Sequence, residues 1–171
     1  NYFAKALEKI EHNTVTLDGT VRGTVSRLKG RDLIMGLGRN SSFKGDFSMS
    51  GLPNFKETFI EFEVRRLKTD IEDAKRIYPH INYPKNASSL GTVRFSGEFI
   101  GFPNDFVADG ELYTQIGSVS SDINFKIDPD TRIASYSGDF AANEFDLGAW
   151  TAKPELLGPV TLSTNIQGKG T

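Results

Sequence analysis

Histidines, cysteines, converging carboxylates and glycine-rich loops are the usual raw material of catalytic and ligand sites, and this chain holds few of them. Its two histidines, His12 and His80, stand far apart, and neither has a neighbouring pattern that would orient it as a base or assemble a zinc site. Cysteine is absent, which removes disulfides, thiolate ligands and thiol nucleophiles together. Gly36-Leu37-Gly38-Arg39-Asn40-Ser41 has the glycines of a phosphate loop but neither its lysine nor its helix, so it reads as a hairpin turn. Asp128 and Asp130 flank Pro129 in a turn, whereas a calcium loop needs more oxygen ligands at regular spacing. Asn40-Ser41-Ser42 and Asn86-Ala87-Ser88 match the glycosylation acceptor tripeptide, a pattern common by chance. The expectation is a protein with no catalytic residue, no metal and no cofactor, not an enzyme.

The elements that would carry any function are strands, and they repeat. VTLDGTVRG from Val15, VRFSGEFIG from Val93 and VTLSTNIQG from Val160 share one alternating pattern of apolar and polar residues, the signature of a strand with one buried and one wet face. Leucine-glycine pairs precede the later copies at Leu90-Gly91 and Leu157-Gly158. Strands are expected near 14–23, 25–36, 40–50 and 55–67, then near Val93–Gly101, Asp105–Thr114, Gly117–Ile127 and Arg132–Asn143. Between the two sets, Thr69 or Asp70 can cap a short helix running to Ile77, with Asp70, Glu72 and Asp73 in its positive first turn. Phe3, Leu7 and Ile10 have the spacing of another helix face. The domain reading is one piece of a longer β-repeat array, with approximate repeats at 13–79 and 91–152 and the start of a third at 158–171. The fold class is all-β with minor α: repeated antiparallel meanders forming a curled, elongated trough-like sheet, with short helices between repeats.

Composition narrows the partners. Of 171 residues, 37% are apolar and 25% charged, which suits a folded chain. A formal net charge of −2 gives no electrostatic reason to expect nucleic acid. The basic cluster Arg65, Arg66 and Lys68 reads as a solvated strand end. No run of about 18 apolar residues exists and the opening residues are not a signal peptide, so any anchor or export signal is expected outside this segment.

Strand parity places Ile60, Phe62 and Val64 on one face, and likewise Val93, Phe95 and Phe99, and Val119, Ile123, Phe125 and Ile127, while Glu61, Glu63, Arg65, Arg94, Glu98, Asn124 and Lys126 point the other way. One outcome is an ordinary sandwich in which two sheets, or one strongly curved sheet, seal this face as a core. Another is an open trough whose lining is left for acyl chains. Thirteen phenylalanines against one tryptophan and five tyrosines suit a lining for hydrocarbon, because tyrosine and tryptophan seek hydrogen-bond partners when buried.

Nearly the whole chain resembles the TamB family, the inner-membrane subunit of the translocation and assembly module, in its Bacteroidetes form. The resemblance lies in VTLDGTVRGTVSRLKGRDLIMGLG, SSFKGDFSMSGLPNF, RRLKTDIEDAKRIYP and YSGDFAANEFDLGAW, and in the F-x-G-x-F-x-G piece from Phe95 to Gly101 and the D-F-x-x-x-G-x-L piece from Asp105 to Leu112. It implies an internal fragment of an AsmA-like bridge-like lipid-transfer protein in the periplasm, anchored in the inner membrane by a segment outside this chain. It also implies phospholipid or another acyl-chain ligand as cargo, support of outer-membrane protein or autotransporter assembly, and an Omp85-type partner contacted through regions outside this fragment. The family carries over no catalytic residue. With the parity argument, the expected groove lining is Ile60, Phe62, Val64, Val93, Phe95, Phe99, Ile123, Phe125 and Phe140. Two other functions stay open: a chaperone-like scaffold binding nascent outer-membrane strands by edge pairing, and a closed β-sandwich structural or adhesion module.

Overall fold

The computed structural model describes residues 15–77, 79 and 82–170. Nine strands occur in chain order: β1 Val15–Thr24, β2 Arg27–Leu37, β3 Ser41–Ser50, β4 Phe59–Asp70, β5 Thr92–Phe102, β6 Asp105–Thr114, β7 Gly117–Ile127, β8 Ala134–Asp146 and β9 Pro159–Gly170. All belong to one antiparallel sheet whose spatial order equals their sequence order. Two short helices follow the fourth and eighth strands, α1 at Ile71–Ile77 and α2 at Leu147–Thr151. The alternating segments therefore become an open meander, as their period of two demands. The segment 55–57, expected as the start of a strand, is a 3-10 turn. The Thr58 hydroxyl donates to the Asn54 carbonyl across that turn at 2.8 Å, and β4 starts only beyond it. The expected helix face at Phe3, Leu7 and Ile10, and both histidines, lie outside the described residues.

Both helices begin the same way. Asp70 ends β4 and accepts the Asp73 N–H at 2.9 Å, and Asp146 ends β8 and accepts the Ala149 N–H at 2.9 Å. Each carboxylate satisfies a donor that a helix start leaves unpaired. Asp73 reaches back further: its buried carboxylate accepts the backbone N–H groups of Arg39 and Asn40, the Ser41 hydroxyl at 3.1 Å and the Arg76 guanidinium at 3.0 Å. One side chain thus ties α1 to the β2–β3 turn. Burial pushes this carboxyl up, yet the Asn40 N–H, the Ser41 hydroxyl, the Arg39 N–H and the Arg76 charge outweigh it and hold it below the usual aspartate range. Pro79 lies beyond α1, and α2 stops at Ala152, whose φ of 56° is left-handed.

Register shifts interrupt the pairings β1–β2, β2–β3, β3–β4, β4–β5 and β8–β9. Bulges bend strands and add twist; they fall toward the two flanks of the sheet, while β5 to β8 pair without interruption. Two bulge residues, Asp32 and Glu144, have φ of 51° and 48°. Each is held by a side chain from the next strand, the Asp32 N–H by Asp46 at 2.7 Å and the Glu144 N–H by Thr161 at 3.0 Å.

The sandwich alternative is not what forms. Strands pack against their sheet neighbours, the helices sit at strand ends, and among the described residues no second layer covers either face. Few apolar residues are buried as a result; Leu33, Ile60, Val64, Ala87 and Ala142 are those among the described residues.

Candidate functional site

Pairing register converts the alternating pattern into rows that cross the sheet. Phe47 faces Phe62, Phe62 faces Phe99, Phe106 faces Phe125, and Phe125 faces Tyr136. Ring centroids lie 4.7 Å apart for Phe99 and Phe106 and 5.0 Å for Phe106 and Phe125, the spacing at which offset rings attract. Nearer the helix ends runs a second apolar row, in which Phe43 faces Leu67, Leu67 faces Phe95, Phe95 faces Leu112, Leu112 faces Val119 and Val119 faces Ala142. Between the rows lies a line of smaller residues: Gly45, Val64, Gly97, Gly110 and Ser121.

That middle line is where the rings come to rest. The Phe95 ring lies over Gly97 and Gly110, and the Phe43 ring over Gly45, in the space that β-carbons would need. The rows thereby merge into one apolar surface in which most rings are half-buried against one another.

The nine expected lining residues all fall on this surface. Ile60, Phe62 and Val64 on β4 register with Gly101, Phe99 and Gly97 on β5, and Phe95 and Val93 follow beyond the Arg65-Arg66 bulge. Ile123 and Phe125 on β7 share the face of Ser121, which pairs with Phe140 on β8. The expectation leaves out Phe43, Phe47, Leu67, Phe106, Leu112 and Tyr136. Their signal was present in the sequence, since Phe43, Gly45, Phe47 and Met49 alternate as cleanly as β5 does.

The reverse face is charged, and the same register builds something else there. Asp46 faces Glu63, Glu63 faces Glu98, Glu98 faces Asp109, Asp109 faces Asp122, and Asp122 faces Asp139. Six carboxylates thus form a ladder across β3 to β8. At its β3–β4 end the charge is met: Arg65 reaches Asp46, Asp32 at 3.2 Å and Glu63 at 3.2 Å, and Arg31 reaches Asp46 at 3.1 Å. Burial pushes the Asp46 carboxyl up, but the Asp32 N–H and the two guanidinium groups outweigh it and leave it below the usual range. Asp139 accepts from the Asn165 amide at 3.0 Å, and among the described residues no ion pair reaches Glu98, Asp109 or Asp122.

A cleft of about 460 Å³ opens on this polar face along the ladder. The carboxylates run in a row, and no group of three or more metal-ligating side chains converges among the described residues.

The remaining residues singled out for chemistry take structural parts. Residues 38–40 form the β2–β3 turn. Asp128 accepts the N–H groups of Asp130 and Thr131 at 3.0 and 2.8 Å, closing its own turn. The Asn40 amide donates to Asp70 at 2.7 Å and the Asn86 amide to the Trp150 carbonyl at 2.8 Å. Arg65 departs from expectation: it stands at the β4 bulge inside an ion-pair network, not at a solvated strand end, because the Asp46 carboxylate lies within its reach.

No family model, curated protein or solved structure significantly matches this chain. No helix among the described residues is long and apolar enough to cross a membrane.

Proposed function

We propose that this chain is a segment of a TamB/AsmA-like lipid-transfer sheet, in the periplasm, whose apolar face carries phospholipid acyl chains between membranes and supports outer-membrane protein assembly. The observation that carries the reading is the apolar surface itself, continuous across the strands with no second layer over it among the described residues. Moving an acyl chain through water costs about 0.8 kcal/mol for each exposed methylene. A chain sliding from a bilayer onto such a surface exchanges one apolar contact for another and avoids that barrier, with no chemistry required.

The polar reverse sharpens the assignment. A row of carboxylates repels anionic headgroups and hydrocarbon alike, so cargo has one face to occupy. A photoreactive residue at Phe99 or Phe125 is expected to crosslink phospholipid, and Phe99→Asp or Phe125→Asp to abolish crosslinking from the other site while strand content by circular dichroism is kept. Unchanged crosslinking in the aspartate variants removes these residues from the lining.

A second reading has its own observation. The outer edges of β1 and β9 are unpaired among the described residues, and Leu17 and Val21 on β1 are exposed, so an extended client strand has edges to join. Extended peptides that compete with a client but leave lipid crosslinking untouched would favour it.

A further inference from the structure

The connectors of the two meanders meet at one end of the sheet and border an open cleft of about 440 Å³. Its walls are Pro84, Lys85 and Asn86 from the loop before β5, and Trp150, Thr151, Lys153 and Leu157 from α2 and the loop after it. The Asn86 amide donates to the Trp150 carbonyl at 2.8 Å and pins one wall to the other. In a chain of net charge −2 this lining contains two lysines and no carboxylate, whereas the clefts on the polar face are lined by Glu63, Glu98, Asp109, Asp122 and their neighbours.

The cleft also adjoins the apolar surface. Trp150 packs edge-on against Phe145, with ring centroids 6.3 Å apart, and Phe145 registers with Val160 on that surface beyond the β8 bulge. An indole bridging hydrocarbon to a polar rim, with lysines outside it, is the arrangement that suits the boundary between acyl chain and headgroup. Leu157, 41% exposed, continues the apolar side of the rim.

We propose that this cleft receives the anionic headgroup of a phospholipid whose chains rest on the apolar face, with Lys85 and Lys153 meeting the phosphate and Trp150 covering the glycerol region. The proposal rests on the lipid-carrying reading above and adds a headgroup preference and a place for it. It also separates charge across the molecule: an anionic headgroup is drawn to this end of the sheet and repelled from the carboxylate ladder on its reverse.

Trp150 is the single tryptophan of the chain, so its emission reports on the cleft without labelling. Titration with monomeric dihexanoyl phosphatidylglycerol is expected to shift that emission saturably to the blue, at about thirtyfold lower concentration than dihexanoyl phosphatidylcholine. Lys85→Gln with Lys153→Gln should erase the preference, two lysine contacts being about that factor. Inorganic phosphate alone should leave the emission unchanged. Equal responses to the two lipids, no response to either, or a full response to phosphate alone overturns the headgroup site if crosslinking of both lipids through a photoreactive residue at Phe99 persists. Loss of the Phe99 crosslink together with the Trp150 response overturns the lipid-carrying reading itself.

Discussion

The two faces of this sheet share every backbone hydrogen bond and differ only in what alternate residues supply. On one, directly opposed residues attract: Phe62 meets Phe99 and Phe106 meets Phe125. On the other, directly opposed residues repel: Glu98 meets Asp109 and Asp109 meets Asp122. Cross-strand pairs of either kind are worth about 0.2–1 kcal/mol each, so the apolar face must hold the sheet together against its own reverse. Without a covering layer it does so by laying rings over glycines, a solution that buries hydrocarbon within one face and still leaves that face accessible.

The sharpest way to break the comparison is at the glycine line. Gly97→Val is expected to cost about 3 kcal/mol by urea unfolding, because a β-carbon there runs into the Asp109 carbonyl and displaces the Phe95 ring. Its neighbour Ser96, which points to the polar face, should accept valine at a cost within about 0.5 kcal/mol. Next in size, Phe106→Ala should lose about 2 kcal/mol through its contacts with Phe99 and Phe125. Ile100→Ala on the reverse, where Ile100 is 46% exposed, should change little.

Asp46 tests the neutralised end of the ladder by pH. Its folded pKa lies below the unfolded value of 3.8, so its stabilising contribution is complete above that value and is lost as pH falls through the folded one. Asp46→Asn should therefore lower stability by about 1.5 kcal/mol at pH 7, and the gap to the parent should close below pH 4 in thermal melts. The smallest effect has the opposite sign: Asp109→Asn removes repulsion from Glu98 and Asp122 and should gain about 0.5 kcal/mol at low salt. The gain should shrink as salt is added; a loss instead would mean that the ladder holds a cation.

Strands were legible because alternation over ten residues leaves few alternatives, and the ends fall within a few residues of expectation except where the turn after Pro53 displaces the start of β4. The start of the first helix was legible too, from Thr69 or Asp70 and the acidic first turn, whereas the Asp146 cap of the second was not read. Rows across the sheet were not, because they depend on register, and register shifts at bulges such as Arg65-Arg66 carry no periodic signal. Parity placed Phe62 and Phe99 on the same side of their own strands; only pairing placed them opposite each other. The carboxylate ladder was hidden for the same reason, since Glu63, Glu98, Asp109, Asp122 and Asp139 are scattered in sequence. Asp73 looked like one of three first-turn acids, and its part in fastening the β2–β3 turn needed a contact from far along the chain.

β5 lies four strand steps beyond β1, and β9 four beyond β5, and four is even. Those three strands therefore run in the same direction and turn the same side toward the oily surface, so units can be laid edge to edge like floorboards without ever reversing the grain. With neighbouring strands about 4.8 Å apart, each unit advances the surface by roughly 19 Å. The span of such a surface is then set by the number of units.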